Sequence, residues 1–477
     1  MSKLSLIDDL FLLLESRRVP LHIGVLMLFD PPADASPLFA AQLAERLRVF
    51  SQATPPFNQR LTRRRGVHAW EADEEFDLDH HFVHTALPQP GRIRELLSLV
   101  SSAHSAHLDR AYPLWRMYLI KGIEGGRLAV YLKIHHSLVD GVGGVRLLMR
   151  SMSSDAAQSA KMLPLWEVGP TKPKKAQILP VPAPPPAVEG IAALRLLARE
   201  GVQAVAPVLR EVRETFREVR HNDPDVALFG QAPRSLLKTR ISATRRFAAQ
   251  QYATPRMRGV AEALNATLND VVLAMCGGAL RRYLLKRGDL PEKPLIAGVP
   301  VSIRRNNTAL GNEVAFTITH LATHMEDAVE RLLAIKRCMD KNKQRFEKLS
   351  PGQIMAYALL TLTPGTIGSL VSRSSGHALG YVVVSHVPGP REDLYWQGCR
   401  LAGLYPASLL IDMLALNITV ISRHDFVDFG LIACRKSVPH AQRLLEYLED
   451  ELAALEAGVL KRSQPEPRRG ATRRAKS

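Results

Sequence analysis

The 477-residue sequence is poor in the residues that build several common kinds of protein site. It has four cysteines, Cys276, Cys338, Cys399 and Cys434, and no two of them stand in a CxxC spacing. This usage predicts neither a disulfide framework nor a zinc site, and it fits a reducing compartment. The GxSxG motif of serine hydrolases is also absent, and no cysteine is a plausible nucleophile. The chain therefore offers neither of these nucleophiles for covalent catalysis.

Long apolar stretches are scarce as well. The N-terminal apolar run at 10–14 is flanked by Asp8, Asp9 and Glu15 and is followed by no small-residue cleavage site, so we do not expect a secretion signal. Residues 354–371 are uncharged and just reach the ~18 residues that a membrane span needs. Because this segment also contains proline, glycine, threonine and serine, we expect two short buried helices there instead.

Negative charge is the scarcer sign, with 46 acidic against 63 basic residues and a net charge of +17. The positive charge is spread along the chain, with a local excess after Lys461, and aromatic residues are not interleaved with it. This pattern does not favour a nucleic-acid platform. Anionic lipid headgroups or the phosphates of a ligand explain a basic surface equally well, and so does a solvated face kept for solubility.

The most informative stretch is 127–150, with the sequence RLAVYLKIHHSLVDGVGGVRLLMR. Residues 128–134 read as a buried strand, and the apolar residues after Gly141 recur at helical spacing. His135 and His136 therefore stand where a strand ends and a loop turns into a helix, which is a frequent place for groups that face a substrate. Neighbouring residues of an extended segment point to opposite sides, so one imidazole faces a cavity and is a candidate general base.

Residues of the 127–150 stretch could also have roles other than general-base catalysis. Asp140 stands at the turn into the helix, where its carboxylate could cap amide groups or pair with a cation, and Gly141 allows a tight turn. We do not expect the two histidines and Asp140 to bind a metal, since adjacent histidines point apart and no cysteine or further histidine cluster is nearby. A second pair, His80-His81, has no Asp-Gly after it. A structural role is the default for an isolated pair.

The form H-H-x-x-x-D-G after a strand resembles the signature of the coenzyme A-dependent acyltransferase superfamily, which contains chloramphenicol acetyltransferase and peptide-synthetase condensation domains. Further motifs, in order, resemble those of the bacterial wax ester synthase / acyl-CoA:diacylglycerol acyltransferase family. These motifs are Pro113-Leu114-Trp115, Asn269-Asp270, Pro300-Val301-Ser302 and Ser385-His386-Val387-Pro388-Gly389-Pro390. The resemblance covers about 4–455, nearly the whole chain.

The resemblance implies an α/β (α+β) fold of two chloramphenicol-acetyltransferase-like lobes, with mixed sheets flanked by helices and an active-site tunnel between the lobes. Composition and periodicity divide the chain into an N-terminal lobe, a proline-rich linker with a connecting helix, a C-terminal lobe and a basic disordered tail. Their ranges are 1–160, 161–239, 240–460 and 461–477. The amphipathic helix expected at 191–219 would pack across both lobes or, alternatively, lie on a membrane surface.

The implied reaction moves a fatty acyl group from acyl-CoA to a long-chain alcohol, which gives a wax ester, or to diacylglycerol, which gives triacylglycerol. No cofactor or metal is implied beyond the thioester substrate. Under this hypothesis His136 is the general base, His135 helps to fix the loop, and Asn269 donates a hydrogen bond to the oxyanion. Two rivals remain: a condensation-type acyltransferase of secondary metabolism, which would need a carrier domain, and a non-catalytic lipid-surface binding protein.

The remaining residue roles are carried over from the family. An arginine of the superfamily pairs with the motif aspartate, which here implies that Arg304 pairs with Asp140. Gly141 and Asp270 would support the site, although a helix cap alone would explain Asp270. His22 and Ser302 would lie near the substrate, although His22 is otherwise most simply a half-buried strand residue.

The sequence departs from the family at two places. Arg116 stands where members usually have an acidic residue, and His386 stands where they commonly have asparagine, so the roles of both side chains are open. The partners implied are acyl-CoA, a fatty alcohol or diacylglycerol, and a membrane or lipid-droplet surface, with no nucleic acid. The expected location is cytoplasmic, with peripheral binding to the inner membrane or to lipid inclusions.

Overall fold

The structure is a computed structural model. It describes residues 2–4, 6–64, 67–139, 141–169, 205–302, 314–358, 360–361 and 382–463. The main helices are α1 Leu6–Leu14, α2 Phe39–Arg48, α3 Leu78–His81, α4 Ile93–Ser105, α5 Gly141–Met149, α6 Ala156–Ser159, α7 Val205–Arg220, α8 Thr254–Ala263, α9 Leu268–Leu285, α10 Ala328–Glu347 and α11 Arg443–Ser463. The strands are β1 Ser2–Lys3, β2 His22–Asp30, β3 Gln59–Arg64, β4 Val67–Ala72, β5 Phe82–Ala86, β6 Trp115–Lys121, β7 Leu128–His135, β8 Arg245–Ala253, β9 Ile296–Ser302, β10 Val314–His320, β11 Val382–Pro388, β12 Tyr395–Trp396, β13 Cys399–Ala407, β14 Leu416–Ser422 and β15 Phe426–Cys434.

The first lobe is built on a mixed sheet. In the described part of the chain this sheet has six strands in the order β12-β13-β2-β7-β6-β5. Strand β7 lies near its centre and every one of its residues is buried, as the apolar run in the sequence predicts for a strand covered on both faces. The predicted strand at 128–134 and the helix after Gly141 are both confirmed.

The second lobe is built on another mixed sheet. Over the described ranges it has six strands in the order β10-β9-β11-β14-β15-β8, with parallel pairing only between β9 and β11 and between β11 and β14. Helix α9 is buried along most of its length. Gly278 allows its close contact with α11, since a Cβ there would lie 2.0 Å from the carboxylate of Glu451. Glu451 in turn forms a buried ion pair with Arg331.

The two sheets are joined by a strand that the sequence analysis did not anticipate. Strand β13 follows most of the second lobe in the chain, yet it pairs antiparallel with β2 in the first sheet, with Leu404 opposite Met27. It also packs against β15 of the second sheet. Gly430 of β15 has no room for a side chain there, because a Cβ would lie 1.8 Å from the carbonyl oxygen of Pro406. Close backbone contact therefore connects the lobes at this point.

Helix α4 of the first lobe covers the edge of the second sheet. The hydroxyl of Ser105 accepts a hydrogen bond from the backbone N–H of Arg245 at 2.8 Å, and Ser101 accepts one from Phe247 at 2.9 Å. Residues four apart on a helix and two apart on a strand both advance by ~6 Å, so the two spacings match. The serines thus satisfy edge amide groups of β8 that have no strand beside them.

Several predictions fall wholly or partly outside the described residues. Most of the proline-rich segment expected at 162–189 lies outside the described residues. The helix expected at 191–219 is described from Val205 onward as α7, which packs through Val208 against residues near 349–357. The segment at 354–371 is described at 354–358 and 360–361, and it begins within a helix at 351–358. The lobe boundaries stay predictions.

Among the described helices, no single one is long and apolar enough to cross a membrane, and only α8 with α9, bent by 100° at their junction, meets the length and composition criteria together.

Candidate active site

The two histidines lie where β7 leaves the first sheet. His135 is the last residue of β7 and is 1% exposed, while His136 is half-buried. The backbone N–H of His135 donates to the carbonyl of Leu114, and that of His136 donates to the carbonyl of Leu21, each at 2.9 Å. The chain segments that enter β2 and β6 therefore hold the histidine loop from both sides.

One ring nitrogen of His135 is hydrogen-bonded and the other faces a carboxylate. Its Nδ1 accepts a hydrogen bond from the backbone N–H of Ser137 at 3.2 Å and lies 2.6 Å from the Ser137 hydroxyl. An imidazole nitrogen that accepts an N–H carries no proton, so the proton of the neutral ring is on Nε2. That nitrogen lies 3.6 Å from Oε1 of Glu15 and makes no hydrogen bond to the described residues. His135 therefore has no free lone pair with which to act as a base.

Glu15 is a buried carboxylate beside the loop. Its Oε2 receives two hydrogen bonds from Arg110, from Nε at 3.0 Å and from a terminal nitrogen at 2.8 Å. Burial alone would raise the pKa of Glu15, but His135 and Arg110 outweigh it and lower the pKa to about 2. The group is ionised at neutral pH. Sequence reasoning noted Glu15 only as an acidic flank of an apolar run and missed its place at the site.

His136 lies against an aromatic ring of α1. Its imidazole stacks on Phe11 with ring centroids 4.4 Å apart and planes inclined by 26°. Phe11 is buried and precedes Glu15 by four residues, and the N–H of Glu15 donates to the carbonyl of Phe11 at 3.1 Å, which continues the helical turn. One face of the end of α1 therefore presents a residue to each histidine of the pair.

Polar side chains from β2 and β7 cap the end of α4 behind the loop. Nζ of Lys133 donates to the carbonyls of Ala103 and Ala106 at 2.8 and 2.7 Å, and Nε2 of His22 donates to that of His104 at 2.8 Å. These are carbonyls that a helix leaves without intrahelical partners at its C-terminus. Burial, aided by the charge of Arg116, lowers the pKa of Lys133 to about 7.

His22 is more deeply placed than a half-buried strand residue. It is 1% exposed and stands opposite His135 in the register of β2 and β7. Burial, together with the nearby charges of His104 and Lys133, lowers its pKa well below the usual value, so the ring is neutral. Its role in contacting substrate stays a prediction.

His104 links this cluster to the second lobe. Its Nε2 donates to the carbonyl of Ser408 at 3.1 Å, and its Nδ1 accepts from the hydroxyl of Tyr131 at 2.7 Å. Burial, with a contribution from the charge of Lys133, lowers the pKa of His104 to about 3. A neutral histidine therefore joins α4 to the residue that follows β13.

The Asn-Asp motif lies at the start of α9. Asp270 and Thr267 form a reciprocal cap, in which the Thr267 hydroxyl accepts from the Asp270 N–H at 3.2 Å and the Asp270 carboxylate accepts from the Thr267 N–H at 2.8 Å. A capping role for Asp270 is confirmed, although Thr267 is the cap residue and Asp270 is the third residue of the helix. Asn269 is half-buried in the first turn of α9. Its role as an oxyanion donor stays a prediction.

Some predicted site residues cannot be placed. Asp140 and Arg304 lie outside the described residues, so the ion pair between them stays a prediction. Ser302 is the last residue of β9, and its side chain is not among those described. Gly141 is the first residue of α5.

The second histidine pair has the structural role that is the default for an isolated pair. The ring of His81 stacks on Trp115 with centroids 4.6 Å apart, and its Nδ1 donates to the Trp115 carbonyl at 2.9 Å. Burial lowers the pKa of His81 to about 4. The indole N–H of Trp115 donates to the carbonyl of Phe57 at 2.7 Å, so the tryptophan of the Pro-Leu-Trp motif belongs to the core of the first lobe.

The two departures from the family pattern have different surroundings. Arg116 lies over the ring of Tyr118 at 5.9 Å and stands opposite Lys133 in the sheet register. Burial lowers the pKa of His386 to about 4, and its Nε2 makes no hydrogen bond to the described residues. The turn after His386 needs Gly389, since a Cβ there would lie 2.6 Å from the Ile421 side chain.

The described residues contain no group of three or more histidine, cysteine, aspartate or glutamate side chains arranged to hold a metal ion.

Comparison with known proteins gives a consistent picture. The wax ester synthase/diacylglycerol acyltransferase catalytic domain family matches residues 4–272, and the WS/DGAT C-terminal domain family matches residues 310–456. The chain is 43% identical over 457 residues to the O-acyltransferase WSD of Acinetobacter baylyi, with 95% of the chain and 97% of that protein covered. It is 39% identical over 461 residues to a probable diacylglycerol O-acyltransferase of Mycobacterium tuberculosis, with coverage of 95% and 98%.

Solved structures agree with these matches. The wax ester synthase/diacylglycerol acyltransferase from Marinobacter aquaeolei VT8 is 41% identical and superimposes with a TM-score of 0.78, with 96% of this chain and 100% of that one covered. The first condensation domain of the CDA synthetase is 15% identical with a TM-score of 0.56, and 96% of each chain is covered. The second likeness concerns the fold alone, and it agrees with the two-lobed architecture expected from the sequence.

Proposed function

Because the chain belongs to the wax ester synthase/diacylglycerol acyltransferase family and is an O-acyltransferase, we propose that it transfers a fatty acyl group from acyl-CoA to a long-chain alcohol or a diacylglycerol. The products are then a wax ester or a triacylglycerol, and free coenzyme A. The thioester is already an activated acyl donor, so the proposed reaction needs no cofactor.

His136 is the proposed general base. It takes the proton from the acceptor hydroxyl while the oxygen attacks the thioester carbonyl, which forms the C–O bond of a tetrahedral intermediate. The intermediate collapses with cleavage of the C–S bond, and the leaving thiolate takes the proton from the imidazolium. Asn269 is the proposed donor to the oxyanion, a role worth ~3 kcal/mol in enzymes where such a donor has been removed.

The observation that carries this assignment is the surroundings of the two ring nitrogens of His135. Its Nδ1 accepts from Ser137 and its Nε2 faces Glu15, so its ring has no lone pair for an incoming hydroxyl. His136, at the start of the loop, is half-buried rather than fully enclosed. This arrangement supports the second histidine as the base and the first as the residue that holds the loop.

The test is a purified-enzyme assay with palmitoyl-CoA, in which hexadecanol and a diacylglycerol compete and mass spectrometry identifies the products. We expect ester formation by the wild type and a loss of ~10²–10⁴-fold in kcat for His136→Ala, the range typical of a general base. His80→Ala, in the structural pair, is the matched control and should retain activity. A kcat of His136→Ala within twofold of the wild-type value would contradict the assignment of His136 as the general base.

We also propose that the enzyme works at a cytoplasmic lipid surface, either the inner membrane or a lipid inclusion. Helix α1 exposes Leu13 and Leu14, at 67% and 47%, and the exposed Arg17 and Arg18 follow them. Apolar side chains beside basic ones favour binding to anionic lipid interfaces. Asp412, 3.9 Å from Arg18, offsets part of this charge. This surface adjoins the proposed base, since Phe11 on the same helix stacks on His136.

Vesicle flotation tests the lipid surface. The wild type should float with vesicles of phosphatidylglycerol and phosphatidylcholine, and the double variant Leu13→Ser/Leu14→Ser should float several-fold less. Leu38→Ser changes a leucine that is 65% exposed elsewhere on the first lobe and serves as the control. Equal flotation of both variants would contradict the proposed docking surface.

A further inference from the structure

We propose that Glu15 is a positioning residue for proton transfer at the histidine loop, and that it acts through His135. The inference rests on the proposed function, in which His136 is the base. Glu15 itself would not touch substrate. It would fix the loop and set the electrostatic potential in which His136 exchanges its proton.

Contact geometry is the first support. Glu15 follows the last residue of α1 and continues its hydrogen bonding, so it shares one helix face with Phe11. Phe11 stacks on His136 while Glu15 faces Nε2 of His135. Adjacent histidines that point apart are thus held by residues one helical turn apart. A shift of α1 would therefore move both rings together.

Tautomer control is the second support. The backbone N–H of Ser137 requires a lone pair on Nδ1 of His135, and this requirement places the ring proton on Nε2. A carboxylate facing Nε2 stabilises that tautomer, because its negative charge attracts the N–H dipole. Glu15 and Ser137 therefore fix the ring from opposite edges, and with it the backbone that leads into His136.

The third support is that the carboxylate is held from several chain segments. Arg110 binds Oε2, Nδ1 of His107 lies 3.5 Å from Oε1, and the backbone N–H of Leu21 donates to Oε1 at 3.4 Å. Only 7% of the side chain is exposed, so solvent screens its charge weakly. The segments before β2, after α4 and at the end of β7 thus meet at one carboxylate.

Two further ionisable groups lie close to Glu15 and His135. His22 stands opposite His135 on β2, and Lys133 lies on β7 two residues before it. Burial lowers the pKa of both groups, to about 7 for Lys133 and well below the usual range for His22, so above pH 7 neither is predominantly charged. Glu15 is ionised in this range, and the guanidinium groups of Arg110 and Arg116 stay charged as well.

Two substitutions test the proposal with opposite expected shifts. Glu15→Gln removes a negative charge, which lowers the pKa of the base, so the acid limb of the kcat/KM profile should move to lower pH by about one unit. Its kcat should fall about tenfold or more, with little change in KM for palmitoyl-CoA. Arg110→Gln removes the positive charge instead, so the acid limb should move to higher pH. A merely structural role would reduce the active fraction without shifting the limb in either direction.

Asp9→Asn is the matched control, because Asp9 lies on another face of α1 and contacts His68 rather than the loop. A wild-type profile for Glu15→Gln would overturn the proposal. If Glu15→Gln does not fold, Arg110→Gln is the deciding variant, because the Arg110 side chain is 41% exposed and its replacement should be tolerated. An unchanged acid limb of the kcat/KM profile in Arg110→Gln would then overturn the inference. An active His136→Ala would defeat the proposed function itself, whereas an inactive His136→Ala beside a wild-type Glu15→Gln would defeat only this inference.

Discussion

The carboxylate of Asp428, on β15 of the second sheet, accepts a hydrogen bond at 2.9 Å from the backbone N–H of Leu404, on β13 of the first sheet. Asp428 is fully buried and also pairs with Arg423. The register of β13 against β2 shifts between Leu401 and Gly403, immediately before Leu404. One buried carboxylate therefore connects the two sheets at the irregularity in the strand they share.

Asp428→Ala should destabilise the protein strongly. It leaves Arg423 buried without its partner and the Leu404 N–H without an acceptor, and breaking a buried pair in this way typically costs ~3–5 kcal/mol. Thermal unfolding followed by circular dichroism measures the loss. Asp425→Ala, whose side chain is 62% exposed in the same hairpin, should unfold close to the wild-type temperature. Similar losses in both variants would contradict this account.

Gly430→Ala and Gly259→Ala should change stability in opposite directions. A Cβ at Gly430 would lie 1.8 Å from the carbonyl oxygen of Pro406, and because that atom belongs to the backbone, β13 and β15 would have to separate. We expect a loss of ~1–3 kcal/mol. Gly259 is exposed within α8 with nothing near its Cβ position, so alanine there should stabilise by ~1 kcal/mol. The denaturant midpoints of the two variants show whether each change in stability has the expected sign.

Lys133 should make stability increase with pH in the alkaline range. Burial lowers its pKa from 10.5 to about 7, so between these values the unfolded chain binds a proton at Lys133 that the folded chain does not. Stability therefore rises with pH across this window, by at most ~1.4 kcal/mol per unit for one proton. Lys133→Met should remove this increment in unfolding midpoints between pH 7.5 and 9.5. Lys121→Met, at the exposed end of β6, should retain it.

Removing both edge-capping serines should loosen β8. Ser101→Ala/Ser105→Ala leaves the N–H groups of Phe247 and Arg245 without acceptors, at a cost of ~1–3 kcal/mol for each buried donor. Hydrogen exchange of these two amides should accelerate. Ser102→Ala is the control, because its hydroxyl is exposed and bonds only within α4, to the carbonyl of Ser98. Unchanged exchange in the double variant would show that the hydroxyls do not protect the edge.

The sequence predicted the parts of the fold that depend on local pattern. Strand β7 followed from a continuous apolar run, and a capping role for Asp270 followed from its place before the apolar residues of α9, because strand burial and helix capping are both local. The insertion of β13 into the first sheet could not be predicted in the same way. The pattern at 399–407 indicates nothing about its partner, since strand pairing depends on contacts far apart in the chain.

The site divides along the same line. The histidine loop was recognisable because its residues are consecutive and keep a fixed spacing. Glu15 was not recognisable, because its role depends on the packing of α1 against the end of β7. These two elements are separated in the sequence by most of the first lobe. The signal that could have found it is its spacing of four from Phe11, an aromatic residue in a short apolar helix.

The shared strand also has a consequence for synthesis. Strand β2 is made early, but its partner β13 leaves the ribosome only after most of the second lobe, a delay of some tens of seconds at ~5–20 residues per second. Throughout that interval the nascent first sheet has one open side on which a neighbouring nascent chain could pair. We therefore expect truncated chains that end before β13 to aggregate. We also expect chaperone binding during translation to be greatest before β13 has paired with β2.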